Sequence, residues 1–360
     1  MSHTDVRNRT LQKGGMMKCF ARMVMLIGFL VGFISINAFA GEGLLMNGAG
    51  ATFPYPLYSK WFHHYEQMYP GVKFNYQSIG SGGGIRQILE KTVDFGASDA
   101  PMEDADLQKA EGSKILHIPT VIGAVAVAYH VPGVSKGLKL TGSVVAEMFM
   151  GKITKWNDPK IQELNKEVHL PNKDILPVRR SDGSGTTFIF TEYLSKVSPD
   201  WSDNVGTGKS VSWPVGIGAK GNEGVTGLVK QTPGAIGYME LAYAIKNNVA
   251  VASIKNKAGN FVEPTTVSVS AAATNVTLPQ DYRVSLTNSE GTKAYPLSAF
   301  TYLLIYEKQH DTQKGKAMVE FLKWATHDGQ KFASELHYSP LPSSVALKLD
   351  ETISHIQVGK

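Results

Sequence analysis

The stretch "VRRSDGSGTT", residues 178–187, puts two arginines, an aspartate and a Gly-Ser-Gly-Thr-Thr turn directly ahead of an apolar run: Phe188, Ile189 and Phe190, then Tyr193 and Leu194. Turn residues followed by helix-like spacing predict a loop opening into a helix, with hydroxyls and backbone N–H groups at its start. Such a start serves as an anion seat, a nucleophile's turn or an ordinary helix cap. The ten residues alone do not choose among these.

Two further turns share the design, "GAGATFP" (48–54) and "GSGGG" (80–84). Each supplies glycine for close backbone approach, a hydroxyl, and an amphipathic pattern immediately afterwards: Leu57, Trp61, Tyr65 and Met68 in one case, Ile85, Ile88, Leu89 and Val93 in the other. First-turn N–H groups of a helix lack intrahelical partners and carry about half a positive charge, which suits an oxyanion. Arg180 adds a planar, permanently charged fork, and Asp182 is placed to hold it. A capped helix explains any one of the three turns, and a solvated Arg–Asp pair fits the same spacing.

Between these turns the chain alternates helical patterns with apolar runs of strand type, Val121 to Tyr129 ("VIGAVAVAY") and Phe300 to Tyr306 ("FTYLLIY"). That alternation predicts an α/β fold with largely buried strands. Residues 255–292, rich in Asn, Thr, Ser and Ala, read as an irregular surface region.

At the other end of the sequence, Lys18 and Arg22 precede the 14-residue apolar segment Met23 to Ile36, and Ala38-Phe39-Ala40 follows. This is the pattern of a secretory signal peptide cleaved near Ala40; an uncleaved anchor is the alternative, though the segment is short of the ~20 residues a span needs. The leader carries Arg7, Arg9, Lys13, Lys18 and Arg22 against Asp5, so the remainder falls from the whole-chain +5 to +1. No basic stripe argues for nucleic acid. The single cysteine, Cys19, precedes the apolar run, so it is not a lipid-attachment site, and it leaves with the leader. The expected product is an exported, soluble, disulfide-free protein.

Rival motifs fail on their context. "GIGAKG" (216–221) matches a dinucleotide fingerprint, but Pro214 stands where a central strand should run and Asn222-Glu223-Gly224 is a poor helix opening. "GTGKS" (206–210) ends like a phosphate-cradling loop, yet Asp203 occupies the place of its first glycine. Asp182 and Ile79 replace the first glycine of a nucleophile elbow around Ser184 and Ser81. His63-His64, on an expected helix, cannot both face one metal; they read as one core and one surface residue.

Seven segments, in order, carry a resemblance: "GAGATFPYPLYSKW", "GSGGGIRQILEKTVDFGASDAPM", "IPTVIGAVAVAYHVPG", "GKITKWND", "VRRSDGSGTTFIFTEYL", "WPVGIGAKGNEGV" and "TPGAIGYMELAYA". Together they resemble the periplasmic phosphate-binding proteins of high-affinity phosphate ABC importers, from about Gly48 to "SPLPSSV" (339–345). The resemblance implies a two-lobed type II periplasmic-binding-protein fold, with two mixed-sheet lobes joined by two hinge crossings near Ile122–Gly123 and Pro296–Leu297. One lobe is then 41–122 plus 297–360 and the other 123–296, with ligand in the cleft between them.

The same resemblance implies phosphate contacts from Thr52, Phe53 (through its N–H), Ser81 and Asp99 on one lobe. On the other it implies Arg180, Ser184, Gly185 and Thr186, with Asp182 pairing Arg180. It implies a periplasmic monomer with no cofactor, metal or catalytic residue, not inserted in the membrane once cleaved, that serves membrane permease and ATPase subunits. Asp99 is the selective element, because a carboxylate in an anion site welcomes only a ligand that brings a proton. Hydrogen phosphate has one and sulfate does not; the alternative for Asp99 is a helix cap from Ala100 onward. Arsenate stays open as a second ligand. Sulfate, molybdate and an exported phosphatase are the competing readings.

Overall fold

The computed structural model describes residues 43–274 and 276–359. The leader expected over residues 1–40, with Cys19 and the cleavage point near Ala40, lies outside the described residues. Along the chain run β1 (Leu44–Gly50), α1 (Tyr55–Met68), β2 (Val72–Ser78), α2 (Ser81–Leu89), β3 (Phe95–Ser98), β4 (Ile115–Tyr129), β5 (Leu176–Arg180) and α3 (Gly185–Val197). There follow β6 (Ile217–Ala219), α4 (Gly221–Gln231), β7 (Ala235–Glu240), α5 (Leu241–Lys246), α6 (Thr266–Ala273), β8 (Ser298–Tyr306), α7 (Thr312–Thr326) and α8 (Ser343–Ser354).

The main sheet has the order β2-β1-β3-β8-β4-β7-β5-β6 and is mixed. β2, β1 and β3 are parallel to one another, and so are β7, β5 and β6. The antiparallel strands β8 and β4 join the two parallel sets. Both joining strands are the apolar runs of the sequence. All fifteen residues of β4 are buried, as a strand covered on both faces requires.

β4 serves both halves in succession. Residues 115–124 pair with β8, and Val125 to Tyr129 pair with β7. At the change-over Val125 N–H donates to Leu297 O at 2.8 Å. Parallel strands need helical crossovers, and the expected helices supply them. α1 starts behind Pro54 and buries Leu57, Trp61 and Tyr65, while Met68 at its end is exposed. Trp61 Nε1 donates to Gly329 O at 2.7 Å, tying α1 to the C-terminal part of the chain, and Phe62 stacks on Phe74 of β2 at 4.6 Å. α2 ends at Leu89, so Val93 lies beyond it.

The structure corrects two expectations. Residues 255–292 are not simply irregular surface: they contain α6, opened by a Thr265/Ser268 capping box, and they bury Tyr282 and Leu286. Their Thr- and Ser-rich composition is capping chemistry that a compositional reading mistakes for loop. Within them Tyr282 lies against the half that carries β8 and α8, its hydroxyl hydrogen-bonding to Lys348 O (2.9 Å) and its carbonyl accepting from Tyr302 of β8 (3.1 Å). Second, "GAKGNEG" does run from a strand into a helix. β6 is a three-residue edge strand, where a nearby proline does no harm, and α4 starts at Gly221, whose φ of +71° makes the sharp entry.

Candidate anion-binding site

Every expected site residue lies at or just past the carboxyl end of a parallel strand. β1 leads to Thr52 and Phe53, β2 to Ser81, and β3 to Asp99; β5 ends on Arg180 and leads to Asp182, Ser184, Gly185 and Thr186. Carboxyl ends of parallel strands, where helices begin, are where α/β sheets gather ligands. Here two such ends face each other. Gly82 N–H donates to Gly183 O at 2.9 Å, so "GSGGG" and "DGSG" touch backbone to backbone. A Cβ at Gly80, whose φ is +89°, would stand 2.4 Å from Asp182 Oδ2. All eight expected contact residues are buried.

Ser184 caps α3: its Oγ accepts from Thr187 N–H at 3.0 Å. That occupies one lone pair and leaves the hydroxyl proton for another acceptor. Among the described residues no histidine hydrogen-bonds to it. The Gly185 N–H at the head of α3 donates to Ser81 Oγ, 3.1 Å away on the opposite half. The N–H groups of Phe53 and Thr186 have no partner among the described hydrogen bonds. The ring of Phe53 is core, edge-on to Tyr338, and its carbonyl accepts from the Tyr338 hydroxyl at 2.6 Å.

Arg180 is held as expected. Its Nε donates to Asp182 Oδ1 at 2.7 Å and its Nη2 to Asp182 Oδ2 at 2.5 Å. A buried guanidinium without a partner is costly; this bidentate pair neutralises it and leaves the Nη1 edge on the side of Thr186 Oγ1, 3.4 Å away. Burial pushes the Asp182 carboxyl up, but the Arg180 hydrogen bonds and charge, with the Gly221 N–H, outweigh it and hold the group below its usual value.

Asn222, in "GNEGV", shows no binding signal in the sequence, and the structure makes it central. Fully buried, its Nδ2 donates to Thr52 Oγ1 at 2.7 Å and to Thr186 Oγ1 at 3.2 Å, and its own N–H reaches Thr52 Oγ1 at 3.2 Å. Its Oδ1 accepts from Glu240 N–H at 2.9 Å, which fixes the amide's orientation. With two N–H donors on Thr52 Oγ1, and with Asn222 and Arg180 on Thr186 Oγ1, both threonine hydroxyls have only their protons left to offer. The site is thereby committed to donating.

Asp99 is the exception. It lies just past β3, and the antiparallel register of Ser98 with Tyr302 sets it opposite Thr301 of β8. Thr301 Oγ1 donates to Asp99 Oδ1 at 2.8 Å, while Asp99 Oδ2 lies 3.5 Å from Ser81 Oγ. Burial pushes the Asp99 carboxyl up to about 7, against the downward pull of the Thr301 hydroxyl, the Arg180 charge and the Ser81 hydroxyl. Thr301 left no trace in the sequence reading, because one hydroxyl inside "FTYLLIY" looks like an ordinary strand residue.

Residues 37–328 match the family model described as the PBP superfamily domain. The chain is 46% identical over 331 residues to the phosphate-binding protein PstS of Pasteurella multocida, covering 91% of this chain and 94% of that one. It is 48% identical over 303 residues to the phosphate-binding protein PstS of Haemophilus influenzae, covering 83% and 90%. Among solved structures it is similar to a high affinity periplasmic phosphate-binding protein (PfluDING) bound with phosphate, with a TM-score of 0.70 and 22% identity over 86% of this chain and 93% of that one. That last likeness bears on the fold.

Proposed function

Because the chain belongs to the phosphate-binding protein PstS family of the PBP superfamily, we propose that it binds inorganic phosphate between its two lobes for uptake by an ABC importer. It is a substrate-binding protein of transport with the two-lobed type II fold, not an enzyme. The observation that carries the reading is chemical. One buried site combines a neutralised but forked arginine, a helix head, several hydroxyls oriented to donate, and a single carboxylate acceptor. Donors alone suit any tetrahedral oxyanion. The acceptor Asp99 demands a proton on the ligand, which hydrogen phosphate brings and sulfate lacks.

The ligand set we assign is Thr52, the Phe53 N–H, Ser81 and Asp99 from one lobe, and Arg180, Ser184, Gly185 and Thr186 from the other, with Asp182 holding Arg180. We assign the moving bodies as 41–122 plus 297–360 and 123–296. The change of partner along β4 and the contact of Val125 with Leu297 support the two crossings. The exception within 123–296 is the stretch around Tyr282, which is bonded to β8 and α8 and so goes with the first body. The protein works in the periplasm as a monomer after cleavage near Ala40 and hands its ligand to permease and ATPase subunits. Among the described residues no helix is long and apolar enough to cross a membrane.

Calorimetry on phosphate-stripped protein tests the reading. Phosphate is expected to bind one to one at micromolar affinity or tighter and sulfate far more weakly; heat with sulfate and none with phosphate would overturn it.

A further inference from the structure

Asp99 has two oxygens, and what happens at one decides what the other accepts. Oδ1 receives the Thr301 hydroxyl at 2.8 Å. Oδ2 points to the other side, toward Ser81 Oγ and the head of α3, where a Cβ at Gly185 would stand 2.7 Å from it. Thr301 is fully buried, and a bulge holds it in place. The register between β8 and β4 slips at Thr301/Tyr302: Thr301 pairs with Val121 and Tyr302 with Pro119, so Thr120 is the extra residue. Bulges beside binding sites re-aim side chains. Here the Thr120 hydroxyl donates to Thr301 O at 3.1 Å, and it also meets the Tyr58 hydroxyl at 2.8 Å. These bonds tie the strand irregularity down, and it presents the Thr301 hydroxyl to the carboxylate.

We propose that Thr301 is a specificity-determining positioning residue: by donating to Asp99 Oδ1 it favours the ionised carboxylate and leaves Oδ2, which carries only the long contact from Ser81 Oγ, turned toward the anion. The inference rests on the phosphate reading of the site and deepens it. A hydroxyl donating to the charged form favours that form. Without it, burial leaves Asp99 protonated over more of the pH range, and a protonated Asp99 is itself a donor. It then accepts an oxyanion that brings no proton, and discrimination against sulfate is lost. The other groups coupled to Asp99 are Arg180, Glu240, Tyr58, Tyr76, Tyr243 and Tyr338. Burial raises the four tyrosines above their usual range, so they stay neutral near neutral pH; it pushes the Glu240 carboxyl up as well, and arginine stays charged.

The test is the phosphate-to-sulfate affinity ratio of the whole protein, measured by calorimetry between about pH 5.5 and about pH 8.5. In the wild type the ratio is expected to fall as pH drops through the region where Asp99 takes up its proton. Thr301→Val is expected to lower the ratio about tenfold near neutrality and to move the fall up by about one pH unit. Thr301→Ser, which restores the hydroxyl, is expected to follow the wild type. In an Asp99→Asn background Thr301→Val is expected to change nothing further. If the valine variant does not fold, Thr301→Cys, with its weak thiol donor, reads the same displacement. An unchanged ratio and pH curve in Thr301→Val or Thr301→Cys, a failure of serine to rescue, or a further loss in the Asp99→Asn background would each overturn the proposal. A wild type that binds phosphate but discriminates equally at every pH would also overturn it while leaving the phosphate reading intact; one that binds no phosphate would overturn both.

Discussion

The Asn222 side-chain amide donates to Thr52 Oγ1 at 2.7 Å across 170 residues of sequence, and its second hydrogen goes to Thr186 Oγ1. One planar group therefore sets the direction of a hydroxyl on each side of the cleft. Asn222→Ala is expected to weaken phosphate binding on the order of a hundredfold, since two buried hydrogen bonds at about 1–1.5 kcal/mol each are lost from the bound state. Asn222→Asp is expected to be worse, because a carboxylate accepts where the amide donates and adds charge of the ligand's sign. Calorimetry showing aspartate better tolerated than alanine would remove Asn222 from the site.

Gly185 is required by the closed arrangement. A Cβ there would lie 2.5 Å from Ser81 Oγ and 2.6 Å from Asp99 Cβ, both on the opposing lobe. Gly185→Ala is expected to cost binding about 10- to 100-fold, from about 1–3 kcal/mol of overpacking that falls on closure alone. The melting temperature of the phosphate-free protein should hold or rise slightly, because alanine restricts the unfolded chain. A variant that binds normally would show that the lobes need not approach this closely.

Asp99 makes the ligand-free protein pH-sensitive in a definite direction. Its carboxyl rises from 3.8 to about 7 in the fold, so the native state holds the proton more tightly than the unfolded chain does. The native state is therefore penalised progressively as pH rises from about 4 to about 7, and fully above that. The ceiling is about 4 kcal/mol. Asp99→Asn removes the penalty, so without phosphate it should melt above the wild type near pH 8, by a margin that shrinks toward about pH 4. Thermal melts showing an equal margin at both ends would contradict the burial account.

The rim of the cleft should matter little. Lys209 Nζ and Glu103 Oε1 meet at 2.9 Å between the lobes, but the Glu103 side chain is 69% exposed. Such pairs contribute about 0–1 kcal/mol and are screened by salt. Lys209→Ala is therefore expected to change phosphate affinity only a few-fold, and less in high salt. A large, salt-independent loss would place Lys209 in the binding site itself.

What the sequence determined by itself is local. The apolar runs at 121–129 and 300–306 had to be buried strands, and the glycine-hydroxyl turns at Gly48, Gly80 and Asp182 had to open helices, because backbone spacing and capping act over three or four residues. Repetition of that design, with the ordered segments of the resemblance, was enough to put forward the contact set we propose. The tertiary structure decided which side chains aim those contacts. Asn222 reaches Thr52 over 170 residues and Thr301 reaches Asp99 over 202, and neither partner leaves a periodicity or a turn signal in the chain. "VRRSDGSGTT" shows both levels at once. Ser184 is the helix cap that spacing predicts, and the opposing lobe, which brings Ser81 to the same helix head, makes that cap one wall of an anion site. A cap is satisfied within one turn of helix, whereas a hydroxyl proton is directed only by the acceptors and donors that folding brings around it.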